Sequence, residues 1–240
     1  MIPKIIHYCW FGRGAKPADV VKNIEKWRQI HPDFEIIEWN EGNFDINICD
    51  YVREAYEQRK FAFVSDYARG LALWKMGGVY LDCDVELVGR LDPFLSHISF
   101  WGFEANEYVA TSTIGCVPAC PLIGEYLDRY RYRHFVRTDG SLDQTTNVLV
   151  INQILEKHGL VRNGQKQTLA NQAVVYPMQV FSPLDYIMHV NHRDGSTIAI
   201  HHYQQTWGNS SQRWKKKLSR IIHKILGPKL YTKLRSYGRS

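Results

Sequence analysis

The chain has 240 residues, 45% of them hydrophobic and 22% charged, with a formal net charge of +6. That length suits one compact domain with a substantial core, and the composition excludes disorder, collagen-like repeats and small disulfide scaffolds. The charge is uneven: residues 211–240 hold ten Lys or Arg and no acidic residue, and the other 210 residues carry 20 basic against 24 acidic side chains. A mildly acidic body is therefore joined to a basic tail. No run approaches the roughly 18 apolar residues that a membrane span needs. Residues 1–12 hold one Lys and no small-residue cleavage site, so a signal peptide is not expected. Cys9, Cys49, Cys83, Cys116 and Cys120 form no CxxC pair, which points to reduced thiols and a cytoplasmic location.

In chain order, residues 4–10 (KIIHYCW) read as a short buried strand. Val20, Ile24, Trp27 and His31 then fall on one helical face, and Pro32 ends that helix. Residues 34–39 form a second strand, so the opening is a β-α-β unit, which predicts an α/β fold with a mostly parallel sheet. Helices are predicted over 50–60 and 65–76. Gly77 and Gly78 stop the second of these, and residues 79–85 (VYLDCDV) follow as a strand. Further strands are expected at 98–103 and 113–117, helices at 122–132 and 145–158, and a last strand at 197–202. The composition breaks near Gly208, Asn209 and Ser210, giving a body over 1–208 and a tail over 209–240.

Asp82-Cys83-Asp84 is the most informative triplet. On a strand, positions i and i+2 share a face, so the two carboxylates would point together and Cys83 away. Like charges so close repel unless a cation separates them. At the carboxyl end of a parallel strand, Mg²⁺ or Mn²⁺ bridging to a diphosphate suits such a pair. An isolated D-x-D is as readily a pair of solvated turn residues. Upstream, Asp66 and Arg69 lie at i and i+3 on one helical face, where they can grip sugar hydroxyls or simply pair with each other.

The order S-D-x-x-R (Ser65, Asp66, Arg69), helix, then G-G-x-Y-x-D-x-D (Gly77, Gly78, Tyr80, Asp82, Asp84) resembles the DXD-containing sugar-nucleotide glycosyltransferases. That group includes initiating mannosyltransferases, capsule and surface-polysaccharide transferases, and clostridial glucosylating toxins. The resemblance extends to residues 2–12 and to His201-His202 followed by Thr206 and Trp207. It implies a GT-A nucleotide-diphospho-sugar transferase fold, Rossmann-like with flanking helices, and transfer of a hexose with retention. It further implies Asp82 on the ribose and a metal-bound water, Asp84 as a direct ligand of Mn²⁺ or Mg²⁺, and Asp66 and Arg69 on the donor sugar. Ser65 and Tyr80 would lie along the nucleotide, Trp10 would stack on the base, His202 would be the late metal ligand, and Thr206 and Trp207 would meet the diphosphate.

The residues themselves leave several readings open. Trp10 has a π-face for a base but suits a core equally. His7 reads as a satisfied strand histidine. His201 and His202 point to opposite faces if the strand continues, so only one can enter the site. Trp207 can donate to a departing diphosphate or close a core. Relatives often carry Ser where Thr206 stands, and Asn within the segment matching Ala110-Thr111-Ser112-Thr113, near the acceptor. No motif marks a nucleophile; Glu104 and Asp143 are the candidates, and front-face displacement is the favoured mechanism.

In the tail, Trp214, Leu218, Ile221 and Ile225 recur at helical spacing while Lys215, Lys216, Lys217 and Arg220 take other positions. A basic amphipathic helix of this kind suits an anionic membrane surface, with docking on the body or on a partner subunit as alternatives. Nucleic acid is not indicated, because the body is acidic and carries no recognised binding motif. A UDP-sugar is the favoured donor, with GDP-mannose possible. The acceptor would be a saccharide or lipid-linked oligosaccharide in bacterial capsule or surface-polysaccharide synthesis, at the inner face of the cell membrane. Competing readings are a haloacid dehalogenase-like phosphohydrolase using Asp82 as nucleophile and Asp84 as acid, and a non-catalytic sugar- or membrane-binding module.

Overall fold

A computed structural model describes residues 1–203. The expected tail helix, with Trp214, Lys215, Lys216, Lys217 and Arg220, lies outside the described residues, as do Thr206 and Trp207. The elements are β1 (Ile5–Cys9), α1 (Ala18–Ile30), β2 (Glu35–Trp39), α2 (Asp50–Glu57), α3 (Phe61–Met76), β3 (Gly78–Leu81) and β4 (Val85–Leu87). They continue with β5 (Ser99–Phe103), β6 (Val109–Cys116), α4 (Pro121–Asp128), α5 (Asn147–Lys157), β7 (Gln167–Thr168) and β8 (Ala173–Tyr176). Last come α6 (Met178–Phe181), β9 (Leu184–Asp185), β10 (Val190–Asn191) and β11 (Ala199–His201).

The central sheet has seven strands in the order β2-β1-β3-β6-β5-β8-β7. Five run one way, and β6 and β7 run against them. The expected mostly parallel α/β sheet is thus present. Alternation along the strands builds a core on each face. Ile6 and Tyr8 of β1 join Val79 and Leu81 of β3 beneath α1, around the fully buried Trp27. Cys9 and Tyr80 face the other way, toward Val64, Ala68, Ala72 and Leu73 of α3 and the apolar sides of α4 and α5. All eight residues of β6 are buried, as expected of a central strand covered on both faces.

Gly77 and Gly78 end α3 with φ of 64° and 94°, a backbone region that costs glycine little. A Cβ on Gly78 would stand 2.7 Å from the Ile5 carbonyl oxygen, so the close approach of β3 to β1 requires glycine there.

Several boundaries differ from expectation, and one matters for function. Residues 79–85 are not one strand. The ladder to β6 continues one step past Leu81, with Asp82 N–H donating to the Ser112 carbonyl at 2.9 Å, and then Val85 N–H closes a turn onto the Asp82 carbonyl at 2.9 Å. β4 leaves the central sheet and pairs antiparallel with β11 in a separate two-stranded sheet, with His201 opposite Val85. Asp82-Cys83-Asp84 is therefore the turn between the two sheets. Elsewhere, α3 starts at Phe61, β6 at Val109 and α5 at Asn147, while α4 stops at Asp128. The predicted strand at 197–202 ends one residue early, at His201. The β7–β8 and β9–β10 hairpins carry no strong alternation and are additions to the sequence reading.

Asn152 of α5 locks the start of β6. Its Oδ1 accepts from Val109 N–H at 2.9 Å and its Nδ2 donates to the Val109 carbonyl at 2.9 Å, replacing a missing strand neighbour. Asn152→Ala leaves both backbone groups buried and unpaired, which should cost about 2–3 kcal/mol. Urea unfolding measures it, and a midpoint equal to the parent's would contradict this account.

Candidate active site

Three segments deliver the site: the second turn of α3, the turn after β3, and the end of β11. α3 is apolar where it meets the sheet, yet Ser65, Asp66 and Arg69 are all buried on it. Buried charges persist only when paired and hydrogen-bonded, and the pairing here is thorough. Arg69 Nη2 donates to Asp66 Oδ1 at 3.1 Å, Nη1 to the Thr111 carbonyl at 2.8 Å, and Nε to the Ser65 carbonyl at 3.3 Å. Nη1 also lies 3.2 Å from Asp82 Oδ1, and the guanidinium packs 4.5 Å from the centre of the Tyr80 ring. Tyr80 in turn donates its phenol proton to Asp82 Oδ1 at 2.9 Å. Asp66, Arg69, Tyr80 and Asp82 therefore form one connected group.

Asn147, at the start of α5, completes it. Its Nδ2 donates to Asp66 Oδ1 at 2.7 Å, while Thr111 Oγ1 donates to Asn147 Oδ1 at 3.1 Å. Sequence reasoning missed Asn147; its one signal is its place just after the helix cap Thr146, whose side chain accepts from Leu149 N–H. Ser65 is adjacent, but its hydroxyl donates back to the Phe61 carbonyl at 3.0 Å.

Asp84 is enclosed, with 10% of its side chain exposed against 27% for Asp82. Its Oδ1 stands 3.4 Å from His201 Nε2. Asp82, Asp84 and His201 can each present one ligand atom within 4.8 Å of the others. Two carboxylate oxygens and an imidazole suit Mn²⁺, and Mg²⁺ less closely. His201 Nδ1, the ring nitrogen turned away from Asp84, is buried without a hydrogen-bond partner among the described residues. The donor set therefore fits a divalent ion. Burial opposes charge on His201, but Asp84, Asp82 and Glu104 outweigh it and raise its pKa.

His202 is placed differently from the expectation. Its Nε2 lies 3.0 Å from Glu86 Oε2, and Glu86 also binds the Lys26 ammonium. Successive residues of a strand face opposite ways, and it is His201 that enters the cluster. Of the two candidate nucleophiles, Glu104 stands by the cluster and accepts from the Tyr203 hydroxyl at 3.1 Å; burial raises its pKa. Asp143 is held elsewhere by Arg133 Nε at 2.7 Å. His7 is structural: Trp39 Nε1 donates to its Nδ1 at 3.1 Å, its Nε2 meets the Gly77 carbonyl at 2.8 Å, and burial lowers its pKa to about 4.

Trp10 lies between the core and a surface cleft. It packs in the core beneath α1, 8% exposed, and it forms a wall of an open cleft of about 430 Å³ with Arg13, Lys16, Glu38, Asn40 and Glu41. Its indole N–H donates to the Gly14 carbonyl at 2.7 Å, which fixes the ring.

Burial raises the Asp66 pKa to about 7, against the pull of Arg69. Between pH about 4 and 7 the folded chain thus keeps a proton that the unfolded chain releases, so this group lowers stability as pH rises. Asp66→Asn removes that slope. Whatever constant offset the substitution adds, its stability relative to the parent should be greater at pH 8 than at pH 5; parallel urea-midpoint profiles would contradict the assignment.

Comparison with known proteins bears on these residues directly. The chain is 28% identical over 205 residues to the mannosyl phosphorylinositol ceramide synthase CSH1 of Saccharomyces cerevisiae, covering 80% of this chain and 50% of that one. It is 32% identical over 126 residues to the inositol phosphoceramide mannosyltransferase 3 of Schizosaccharomyces pombe, covering 51% and 35%. The chain spans about half the length of the Saccharomyces relatives it matches. Among solved structures, the PaToxG glycosyltransferase aligns with a TM-score of 0.48 and 19% identity over 65% of this chain and 68% of that one. Residues 17–101, which carry Asp66, Arg69, Asp82 and Asp84, match the model described as the glycosyltransferase sugar-binding region containing DXD motif.

Proposed function

We propose that the chain is a metal-dependent, retaining glycosyltransferase with the GT-A fold that moves a hexose from a nucleotide-diphosphate sugar to a saccharide or lipid-linked acceptor. The observation that carries this is the convergence of Asp82, Asp84 and His201 on one point, with Asp66 and Arg69 joined to it through Asp82. The match of residues 17–101 to a sugar-binding region supports it. The printed names of the yeast relatives, mannosyltransferases of inositol phosphoceramide, support a lipid-linked acceptor and bring GDP-mannose level with a UDP-hexose as donor.

In this reading Asp82, Asp84 and His201 would hold Mn²⁺ or Mg²⁺, whose charge would neutralise the leaving diphosphate. Asp66 and Arg69 are preorganised to take donor-sugar hydroxyls, because Asn147 and the Thr111 carbonyl already fix their orientation. Trp10 offers its ring to the base at the cleft. Ser65 and Tyr80 flank the nucleotide, and Thr206 and Trp207 are assigned to the diphosphate. The bond from the anomeric carbon to the diphosphate oxygen breaks as the acceptor hydroxyl attacks on the same face, and the departing oxygen takes its proton. A cytoplasmic enzyme held at the membrane by its basic tail, acting in surface-polysaccharide synthesis, is consistent with that acceptor.

Nucleoside-diphosphate release from UDP-hexoses and GDP-mannose, with Mn²⁺ or EDTA, tests the reaction. Turnover should require metal and fall roughly 10²–10³-fold in Asp84→Asn. Phosphate release from simple monoesters would instead favour the hydrolase, and no turnover would leave the binding module. Co-sedimentation with phosphatidylserine vesicles tests the tail. Replacing Lys215, Lys216 and Lys217 by Gln should weaken binding by about 3 kcal/mol, and unchanged binding would remove the membrane role.

A further inference from the structure

Metal-binding histidines are usually oriented by a hydrogen bond from the ring nitrogen that does not face the metal. His201 lacks one. Its Nε2 faces Asp84, and its Nδ1 is buried without a partner among the described residues. What the imidazole does have is a face contact, with the Tyr203 ring centred 3.9 Å away and the planes 38° apart.

Tyr203 reaches that position because the backbone turns into the left-handed region just after β11, at φ 51°, folding the ring back over the residue two before it. A bulky residue in this region persists only where its surroundings hold it. Contacts from two segments are among those that do so here. The phenol donates to Glu104 Oε2 at 3.1 Å, and the Tyr186 ring lies 4.5 Å from the Tyr203 ring. Glu104 comes from the end of β5 and Tyr186 from the β9–β10 hairpin, so separate segments converge on one side chain.

We propose that Tyr203, anchored by Glu104 and backed by Tyr186, is a positioning residue that orients the His201 imidazole toward the cation. Stacking does what a hydrogen bond to the second ring nitrogen does elsewhere. The inference rests on reading Asp82, Asp84 and His201 as a cation site, and it gives Glu104 a structural task in place of attack on the sugar.

The test is Mn²⁺ affinity of the full chain without donor sugar, read from the electron paramagnetic resonance of free Mn²⁺. Tyr203→Leu should raise the dissociation constant about 10-fold, as loss of a group that orients a ligand does. Tyr203→Phe, which keeps the ring but loses the bond to Glu104, should raise it less than Tyr203→Leu does and by about as much as Glu104→Ala does. Glu104→Ala should weaken binding, and Glu104→Gln, which still accepts from the phenol, should restore it; this pair decides the matter if Tyr203→Leu fails to fold by circular dichroism. Parent affinity in Tyr203→Leu overturns the positioning role while leaving the cation site intact. A parent chain that binds Mn²⁺ no better than Asp84→Asn removes the site, and the proposal with it.

Discussion

The arrangement depends on a single guanidinium. Arg69 lies between Asp66 and Asp82, two carboxylates that would otherwise repel across a poorly hydrated gap. Desolvating a cation is expensive, and an ion pair alone seldom offsets it. Here the Ser65 and Thr111 carbonyls supplement the carboxylates, and the face of Tyr80 covers the remainder. The result ties α3 to β6 and to the turn after β3. A side chain bound on so many sides has little rotational freedom to lose when a ligand arrives, which is the condition for recognising a sugar without reorganisation.

The second determinant is the departure of the chain from the central sheet. Had residues 79–85 run on as one strand, Asp84 would sit deeper along the ladder and β4 would not pair with β11. The turn closed by Val85 N–H throws β4 outward, and the antiparallel pairing then brings β11 back alongside. His202 N–H donates to the Asp84 carbonyl at 3.1 Å, so the backbone of one contributor holds that of the other. A register shift of one residue would exchange His201 for His202.

Much of this was legible in the sequence, and the failures have physical causes. The opening β-α-β unit, the stop at Gly77 and Gly78, and the proximity of Asp66, Arg69, Asp82 and Asp84 followed from periodicity and motif order. VYLDCDV reads as a continuous strand because strand-forming residues flank both acids, and nothing local announces that its second half pairs with a segment more than 110 residues later. The choice between His201 and His202 depends on that long-range register, which local pattern does not contain. Asn147 escaped for a related reason: it enters through tertiary placement at a helix start, with no neighbouring residues to mark it.

The order of the contributors along the chain has a consequence for biogenesis. The seven strands of the central sheet can pair before β11 exists, because among the described residues none of them lies beyond Tyr176. The imidazole arrives some 25 positions later, on a three-residue strand outside that sheet. A nascent chain emerging from the ribosome therefore makes every strand of that sheet before its nitrogen donor, so a product released between the two would lack the imidazole.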